Sequence, residues 1–270
     1  LPFACQPACR LLTPTLGRRY GSFAPVKCVV TGPPPHARPH GGRRLVDTTS
    51  RSRDGSIHVT DERFNTLSHL VAFCFSVLGT VLLVSQAIAQ GDPWKIVGFS
   101  IYGLSLMTLF AASTLHHGLD RGPRINEALR TLDYASVFTL IAGTVTPLVL
   151  VLFRGVYGWA VFGAVWAVAI LGIVLRSVWR RVPKYVTNTL YITLGWMTIA
   201  LLGADVSLPP AALVLLAAGG LVYSAGFVIY VIERPNPWPG IFGFHEIWHV
   251  LVAVAAFLHY LLMYLYVLPA

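Results

Sequence analysis

The 270-residue chain has little charge: Asp, Glu, Lys and Arg together make up 11% of it, whereas 55% of its residues are hydrophobic. Soluble proteins carry about 25% charged residues. A chain with so few charges is not expected to cover a surface that faces water, which argues against a soluble enzyme or binding module. The composition predicts an integral membrane protein.

Cysteine is also scarce, with four residues in the chain: Cys5, Cys9, Cys28 and Cys74. Three of them lie in an irregular N-terminal stretch. None belongs to the paired C-x-x-C spacing of a structural zinc site, and no disulfide framework is visible. Cysteine therefore says little about the function.

Acidic residues are rare near the N-terminus, where residues 1–57 contain nine Lys or Arg but two Asp or Glu. This stretch, with TGPPPHARPHGGRR at its centre, lacks the periodic apolar residues that build a core, and we expect it to be disordered. Its composition is typical of an organellar transit peptide, and a mistaken upstream start or a fragment is an equal alternative. We divide the chain into this basic extension and a membrane domain, 58–270. No nucleic-acid partner is expected.

Seven apolar runs are long enough to cross a membrane, since a helix needs about 20 apolar residues to span a hydrocarbon core of about 30 Å. They lie at roughly 67–90, 95–117, 132–153, 156–175, 185–203, 210–232 and 246–267. The fifth run is the shortest and contains Thr187, Asn188 and Thr193. The predicted fold is an all-α membrane protein with seven transmembrane helices.

The connections between these runs differ in positive charge. The first and third contain Lys95 and Arg154, whereas the second, fourth and sixth contain Arg121, Arg124, Arg130, Arg176, Arg180, Arg181, Lys184 and Arg234. Positively charged loops are retained in the cytoplasm, so the N-terminus is predicted to be cytoplasmic and the C-terminus to be outside. Seven-helix receptors that couple to G proteins have the opposite orientation, which argues against that class.

Polar residues gather at one end of the predicted bundle. Ser113 and His117 end the second span, Asp133 begins the third, and His245 and His249 begin the seventh. Residues four apart share a helix face, so His245 and His249 can hold one metal ion, and Ser113 and His117 can face one point. Three imidazoles and a water are the ligands of a catalytic zinc, and an ionised Asp133 would help to neutralise it. The pattern predicts a Zn²⁺ site at the cytoplasmic leaflet.

Other histidines have simpler interpretations. His116 is about 100° from His117 around the helix, so only one of them can share a face with Ser113. We assign His117 as the ligand and His116 as an interfacial residue. His58, His69 and His259 are expected to be interfacial or packed in the core. For His259, deeper in the seventh span, a bond to a neighbouring helix suffices.

The stretch HEIWH allows a second interpretation of the same histidines. It matches the zinc-protease pattern H-E-x-x-H, in which two histidines on a helix bind zinc and the glutamate is the base. Glu246 would then be the base of an intramembrane protease. The spacing of these residues does not exclude that alternative.

Four short stretches follow one another within residues 61–268: ERFNTLSH, STLHH, LDYASVFTLIAGTVTP and HEIWH. They resemble, in this order, the E-x-x-N-x-x-[ST]-H, S-x-x-x-H, L-D-x-x-x-I-x-x-x-I-A-G-T-x-T-P and H-x-x-x-H elements of the hemolysin III group of the progestin and adipoQ receptor (adiponectin receptor-like) superfamily. Tyr134 stands where histidine is common. None of the departures touches the proposed ligands.

This resemblance implies a seven-helix fold with a cytoplasmic N-terminus and a zinc ion held by His117, His245 and His249. It also implies that Asp133 binds the zinc-held water and that Ser113 is its polar neighbour. The larger superfamily is similar to the alkaline ceramidases, which suggests hydrolysis of a lipid amide. We therefore expect a zinc-dependent hydrolase of a lipid amide or ester, with Asp133 as proton acceptor and Ser113 orienting water or substrate.

The alternative is a non-enzymatic protein, such as a hemolysin-like pore or a receptor, in which zinc only holds helices together. Membrane lipid is the expected partner. The expected location is a bacterial-type plasma membrane, or an organellar membrane if the extension is a transit peptide. A cavity that reaches the metal and is wide enough for an acyl chain would favour the hydrolase, and a closed metal site would favour the alternative.

Overall fold

The computed structural model describes residues 56, 58–179, 182–203 and 208–270. The predictions for the extension, 1–57, concern residues that, apart from Ser56, lie outside this described part. Every regular element within the described ranges is a helix, which confirms the all-α class there.

Seven α-helices follow one another along the described chain. They are α1 (Glu62–Gln90), α2 (Pro93–Gly118), α3 (Pro123–Pro147), α4 (Val156–Val178), α5 (Lys184–Trp196), α6 (Pro210–Ile232) and α7 (Phe244–Leu262). Two π-helical segments, Leu148–Leu152 and Met263–Val267, extend α3 and α7, and a 3₁₀ segment, Met197–Gly203, extends α5.

Six of these helices are long and apolar enough to cross a membrane: α1, α2, α3 with its extension, α4, α6, and α7 with its extension. The exception is α5, whose 13 residues are fewer than the roughly 20 that a span needs. Beyond Trp196 the fifth predicted span continues as the 3₁₀ segment rather than as regular α-helix. Six spans are thus confirmed by length and composition, and the seventh stays a prediction.

Helix starts follow from local chemistry. Oδ1 of Asp61 caps α1 by accepting hydrogen bonds from the N–H groups of Arg63 (2.9 Å) and Phe64 (3.1 Å). Proline occupies the first turn of α2, α3 and α6, where its missing N–H breaks no helical bond. The helix α3 begins at Pro123, before the apolar run near 132 that predicted it. Its first turns are polar, so the apolar run did not mark its start.

Small residues allow neighbouring helices to pack closely. A Cβ atom on Gly103 of α2 would lie 2.2 Å from Cγ2 of Thr80 on α1, and one on Gly219 of α6 would lie 2.4 Å from the His259 ring of α7. Close packing of this kind replaces the hydrophobic effect as the force between helices in lipid. The span formed by α3 is the most buried, whereas α1 and α6 expose large apolar side chains.

The chain order brings three helix ends and one residue of α3 together. The N-terminus of α1 contacts that of α7 through Asp61 and Glu246, and the C-terminal turn of α2 contacts α1 through His117 and Glu62. Asp133 of α3 lies in the same region. We call this region the polar end of the bundle.

Candidate metal centre

Three buried histidines meet at the polar end. Nε2 of His245 lies 3.3 Å from Nε2 of His117 and 3.2 Å from Nε2 of His249. His245 and His249 are one turn apart on α7, and His117 comes from the last turn of α2. The structure thus brings together the three side chains named from the sequence as metal ligands.

The spacing of these nitrogen atoms fits a tetrahedral metal ion. Zinc–nitrogen bonds of about 2.0–2.1 Å place two ligands of a tetrahedron about 3.3–3.4 Å apart. Nitrogen lone pairs directed at one point repel one another unless a cation or a proton lies between them. The group of three can therefore hold a metal ion.

Glu62 of α1 fixes the orientation of His117. Its Oε2 lies 2.6 Å from Nδ1 of His117, and its Oε1 accepts a hydrogen bond from the hydroxyl of Thr60. An ionised carboxylate only accepts hydrogen bonds, so Nδ1 of His117 carries the hydrogen and the Nε2 lone pair is directed at the other histidines. A carboxylate behind a histidine ligand sets its tautomer and ring orientation in known metal sites.

His69 of α1 supports His249 from the side. The two rings are stacked with centroids 3.8 Å apart, and Nε2 of His69 lies 3.3 Å from the carbonyl oxygen of His249. Phe110 of α2 contacts the His69 ring edge-on at 5.1 Å. These contacts restrict rotation of the His249 ring. His69 is a packed core residue, one of the two roles expected for it.

Glu62 belongs to the ERFNTLSH element of the resemblance but was given no role at the metal site from the sequence, although a signal was present. Glu62, Asn65 and His69 are spaced i, i+3 and i+7, so all three lie on one face of α1. Polar residues at helical spacing in an otherwise apolar span indicate a shared polar contact. The pattern does not identify the partners, because they come from α2 and α7.

Glu246 acts as a cap for two helices. Its Oε1 accepts hydrogen bonds from the N–H of Asp61 (2.6 Å) and from Nδ2 of Asn65 (3.3 Å), and its Oε2 accepts one from the N–H of Gly243 (2.8 Å). The side chain is buried. A carboxylate at the N-termini of two helices stabilises both. With both oxygens held in this way, Glu246 is poorly placed to be the base of a zinc protease.

Asp133 and Ser113 line a cavity together with His245 and His249. The Asp133 carboxylate lies within 4.8 Å of ring nitrogens of His116 and His117, and these three residues form a second group that can hold a metal ion. His116 is buried and its ring lies 4.7 Å from that of His117, in contrast to the interfacial position expected from the sequence.

The cavity has a volume of about 820 Å³ and is bounded mainly by α3, α5, α6 and α7. Most of its walls are apolar. Beyond the metal-binding group it reaches His259, whose Nε2 lies 3.3 Å from the carbonyl oxygen of Leu216 on α6, the bond to a neighbouring helix that the sequence led us to expect. The separation of His249 and His259 along α7 corresponds to about 15 Å.

The cavity reaches the outer surface of the bundle between α5 and α6. The lining residues there are apolar and exposed on both sides: Ile192, Trp196 and Ile199 on α5 and its extension, and Leu213 and Leu221 on α6. An apolar rim of this kind faces acyl chains rather than water in a bilayer. We call this exposed side of the cavity the lateral opening.

Known proteins similar to this chain include bacterial hemolysins. Residues 57–260 match the protein family described as Haemolysin-III related. Hemolysin-3 of Bacillus cereus is 31% identical over 212 residues, which are 78% of this chain and 94% of the relative. A hemolysin-3 homolog of Bacillus subtilis (strain 168) is 32% identical over 195 residues, 72% and 88% of the two chains. The adiponectin receptor protein of Drosophila melanogaster is 26% identical over 244 residues, 82% and 54% of the two chains.

The capping role of Glu246 predicts a loss of stability in Glu246→Ala. Two buried donors and one partly buried donor would lose their acceptor. Each unpaired donor costs about 1–3 kcal/mol, partly relieved by water at the helix ends, so we expect a loss of about 2–4 kcal/mol. Unfolding of purified protein in detergent measures it. Glu127→Ala is the control, because Glu127 is partly exposed in an i,i+3 pair with Arg130, and should cost less than about 1 kcal/mol. Equal stability of the two variants would contradict the capping role.

Proposed function

The chain belongs to the haemolysin-III-related family of the progestin and adipoQ receptor superfamily, and we propose that it is a zinc-dependent hydrolase of an amide or ester bond in a membrane lipid. One observation carries the proposal: two of the three convergent histidines, His245 and His249, border an apolar cavity that opens sideways towards the bilayer. A zinc site that only holds helices together needs no such cavity.

His117, His245 and His249 would hold the zinc ion through their Nε2 atoms, with Glu62 keeping His117 in the required tautomer. Imidazole ligands suit zinc, whereas magnesium and calcium prefer oxygen ligands. Zinc in such a site supplies a Lewis acid that polarises a carbonyl group and lowers the pKa of water.

The other residues of the site divide the work between proton transfer and binding. Asp133 is the proposed proton acceptor, because its carboxylate lies beside the histidines and borders the cavity. Ser113, one turn before His117 on α2, is placed to hydrogen-bond water or the polar group of a substrate. The apolar walls would hold the acyl chain and exclude water, so that the scissile carbonyl lies at the histidine end.

A second candidate function is a non-enzymatic pore or receptor in which the metal joins α2 to α7. The names of the two Bacillus relatives support it, because both describe hemolysins. The cavity and the polar pair Asp133 and Ser113 favour the hydrolase, since a metal that only joins helices requires neither.

We also propose seven membrane crossings, with the N-terminus in the cytoplasm and the C-terminus outside. The 13 residues of α5 and the 7 residues of its 3₁₀ extension would reach about 33 Å if collinear, enough for a hydrocarbon core of about 30 Å. The positive charge of the even-numbered connections sets the orientation. The Bacillus relatives support a bacterial plasma membrane as the location.

This topology predicts opposite locations for two reporter fusions. A reporter after Ala270 should lie outside, and one within 177–184 should lie in the cytoplasm, because that connection contains three of the Lys or Arg residues: Arg180, Arg181 and Lys184. Activity of a compartment-sensitive enzyme tag measures both. Both reporters on the same side would exclude the seven-span arrangement.

The metal proposal predicts one zinc ion per chain in purified protein. His245→Ala combined with His249→Ala removes two of three ligands and should abolish stoichiometric zinc, measured by elemental analysis. His259→Ala is the control, because His259 lies on the same helix but bonds to α6. Glu62→Gln should weaken zinc binding by about 10–100-fold. Unchanged zinc in the double variant would remove this site from consideration.

The hydrolase proposal predicts that Asp133→Asn leaves a folded, zinc-containing protein with turnover lower by about 10²–10⁴-fold. Turnover is measured on a panel of ceramide-like amides and phospholipid esters in bilayer discs. Glu246→Gln is the matched comparison and should reduce turnover per folded, zinc-containing molecule much less than Asp133→Asn does. The amide keeps one oxygen acceptor, and the loss of the other is expected to lower stability rather than to remove a proton acceptor.

The three interpretations give different results in this assay. A protease that uses HEIWH would lose activity in Glu246→Gln and would cleave a transmembrane peptide. A pore or receptor with a structural metal would hydrolyse no lipid, and His117→Ala would chiefly lower its thermal stability. Absence of turnover on every lipid by zinc-loaded protein would count against the hydrolase.

A further inference from the structure

Three cationic side chains border the cavity that the hydrolase proposal assigns to the lipid. They are Arg130 of α3, Arg176 of α4 and Lys184 of α5, and we call them the cationic rim. Neither proton transfer nor binding of an acyl chain requires a positive charge there. Their presence at the cavity therefore calls for a ligand group that the proposed chemistry has not used.

The two arginines have unused hydrogen-bond donors. The guanidinium group of Arg176 lies 4.4 Å from the centroid of the Tyr134 ring, which holds it in place by a cation–π contact. Its Nε is buried, and so is Nε of Arg130; neither atom has a hydrogen-bond partner within the described residues. A buried donor without an acceptor is costly, and a bound anion would supply the acceptor.

The charges of the rim are only partly neutralised. Glu127 accepts a hydrogen bond of 2.6 Å from the guanidinium of Arg130, and Glu233 lies 3.6 Å from the mostly exposed amino group of Lys184. Arg176 contacts the ring of Tyr134 and lies close enough to Tyr191 to interact with it electrostatically. A guanidinium group with this environment can still bind an anion in a bidentate manner.

Arginines at the cytoplasmic end of a membrane protein are common and normally turn to water. Arg121 and Arg124, in and just after the connection between α2 and α3, are exposed in this way. Arg130 and Arg176 differ from them, because they line the cavity and bury their Nε atoms. The retention of positively charged connections in the cytoplasm explains why arginines occur at this end of the bundle. It does not explain why the side chains of Arg130 and Arg176 line the cavity.

The cationic rim lies near the metal-binding histidines. The hydroxyl of Tyr134, whose ring carries Arg176, lies 3.2 Å from the hydroxyl of Tyr230, and the Tyr230 ring is 5.9 Å from that of His245. Asp133 directly precedes Tyr134 in the chain. These contacts form a continuous path from the rim to the histidines, and a ligand that reaches both would lie along it.

We propose that the cationic rim binds the phosphate of a lipid headgroup, so that the substrate is an acylated phospholipid or phosphorylated sphingoid lipid. This inference rests on the proposed function. The phosphate would lie between Arg130 and Arg176, the amide or ester a few covalent bonds away at the histidines, and the acyl chain in the apolar part of the cavity. Arginine suits this task, because its planar fork matches phosphate oxygens.

Binding of non-hydrolysable ethers tests the inference without turnover. The probes are 1-O-alkylglycerol 3-phosphate and 1-O-alkylglycerol with the same alkyl chain, and inorganic phosphate alone. Each is titrated against the full chain in bilayer discs of neutral lipid. We expect the phosphate-bearing ether to bind at least about tenfold more tightly than the neutral ether, as one charge-assisted hydrogen bond would provide.

Substitutions of single arginines test which side chains cause the preference for the phosphate-bearing ether. Arg176→Gln and Arg130→Gln should each remove most of the difference between the two ethers, and Arg176→Lys should retain part of it through charge alone. Arg124→Gln is the matched control, because this exposed arginine of the same charged end does not line the cavity. An equal loss in Arg124→Gln would assign the preference to general surface charge and overturn the inference.

The remaining outcomes separate this inference from the proposed function. Equal affinity of the two ethers for the unmodified chain overturns the headgroup site, whether or not the protein hydrolyses neutral lipids. Inorganic phosphate that binds as tightly as the lipid and competes with it also overturns it, because the site would then take free phosphate. A phosphate preference without turnover of any acylated lipid upholds the headgroup site and removes the hydrolase.

Discussion

The hydrogen bonds of the Glu246 carboxylate hold the polar end of the bundle together. They join the N-terminus of α1 to that of α7 in a buried position. The first helix carries Glu62 and His69, and the seventh carries His245 and His249, so the register between these two helices sets how His69 supports His249 and where Glu62 lies relative to the two histidines of α7. A shift of one helical turn between them, about 5.4 Å, would separate His69 from His249 and Asn65 from Glu246 at the same time.

Burying the histidines and carboxylates of the polar end costs free energy, which suggests that these groups have a function beyond holding the helices together. Removing imidazole and carboxylate groups from water costs free energy unless hydrogen bonds or ion contacts replace their hydration. Apolar side chains would fill the same space and hold the helices together at lower cost. The chain instead places most of its buried histidines, all except His259 among the described residues, at one end of an apolar cavity. Such an arrangement is expected when the polar groups serve a ligand or a reaction.

Much of the helical architecture could be predicted from the sequence, because the length of an apolar run is set by the thickness of the bilayer. The helix bounds in the structure differ from the predicted spans where an apolar run does not coincide with a regular α-helix. The polar first turns of α3 lie outside the apolar run, and α5 gives way to a 3₁₀ segment although the run continues. Helical spacing placed His245 and His249 on one face. The partners of Glu62 and Glu246 depend on which helices pack together, and a single sequence carries no direct signal of that packing.

The cavity was beyond prediction for a related reason, since its shape is what remains between four helices after their side chains pack. Its lateral opening has a kinetic meaning for any ligand that enters there. Such a ligand is supplied by diffusion in two dimensions, and its effective concentration is its mole fraction in the leaflet rather than its molarity in water. Dilution with inert lipid would slow its arrival at constant bulk concentration. An apolar product released by the same route stays in the leaflet and competes for re-entry, whereas a water-soluble fragment is lost to the aqueous phase.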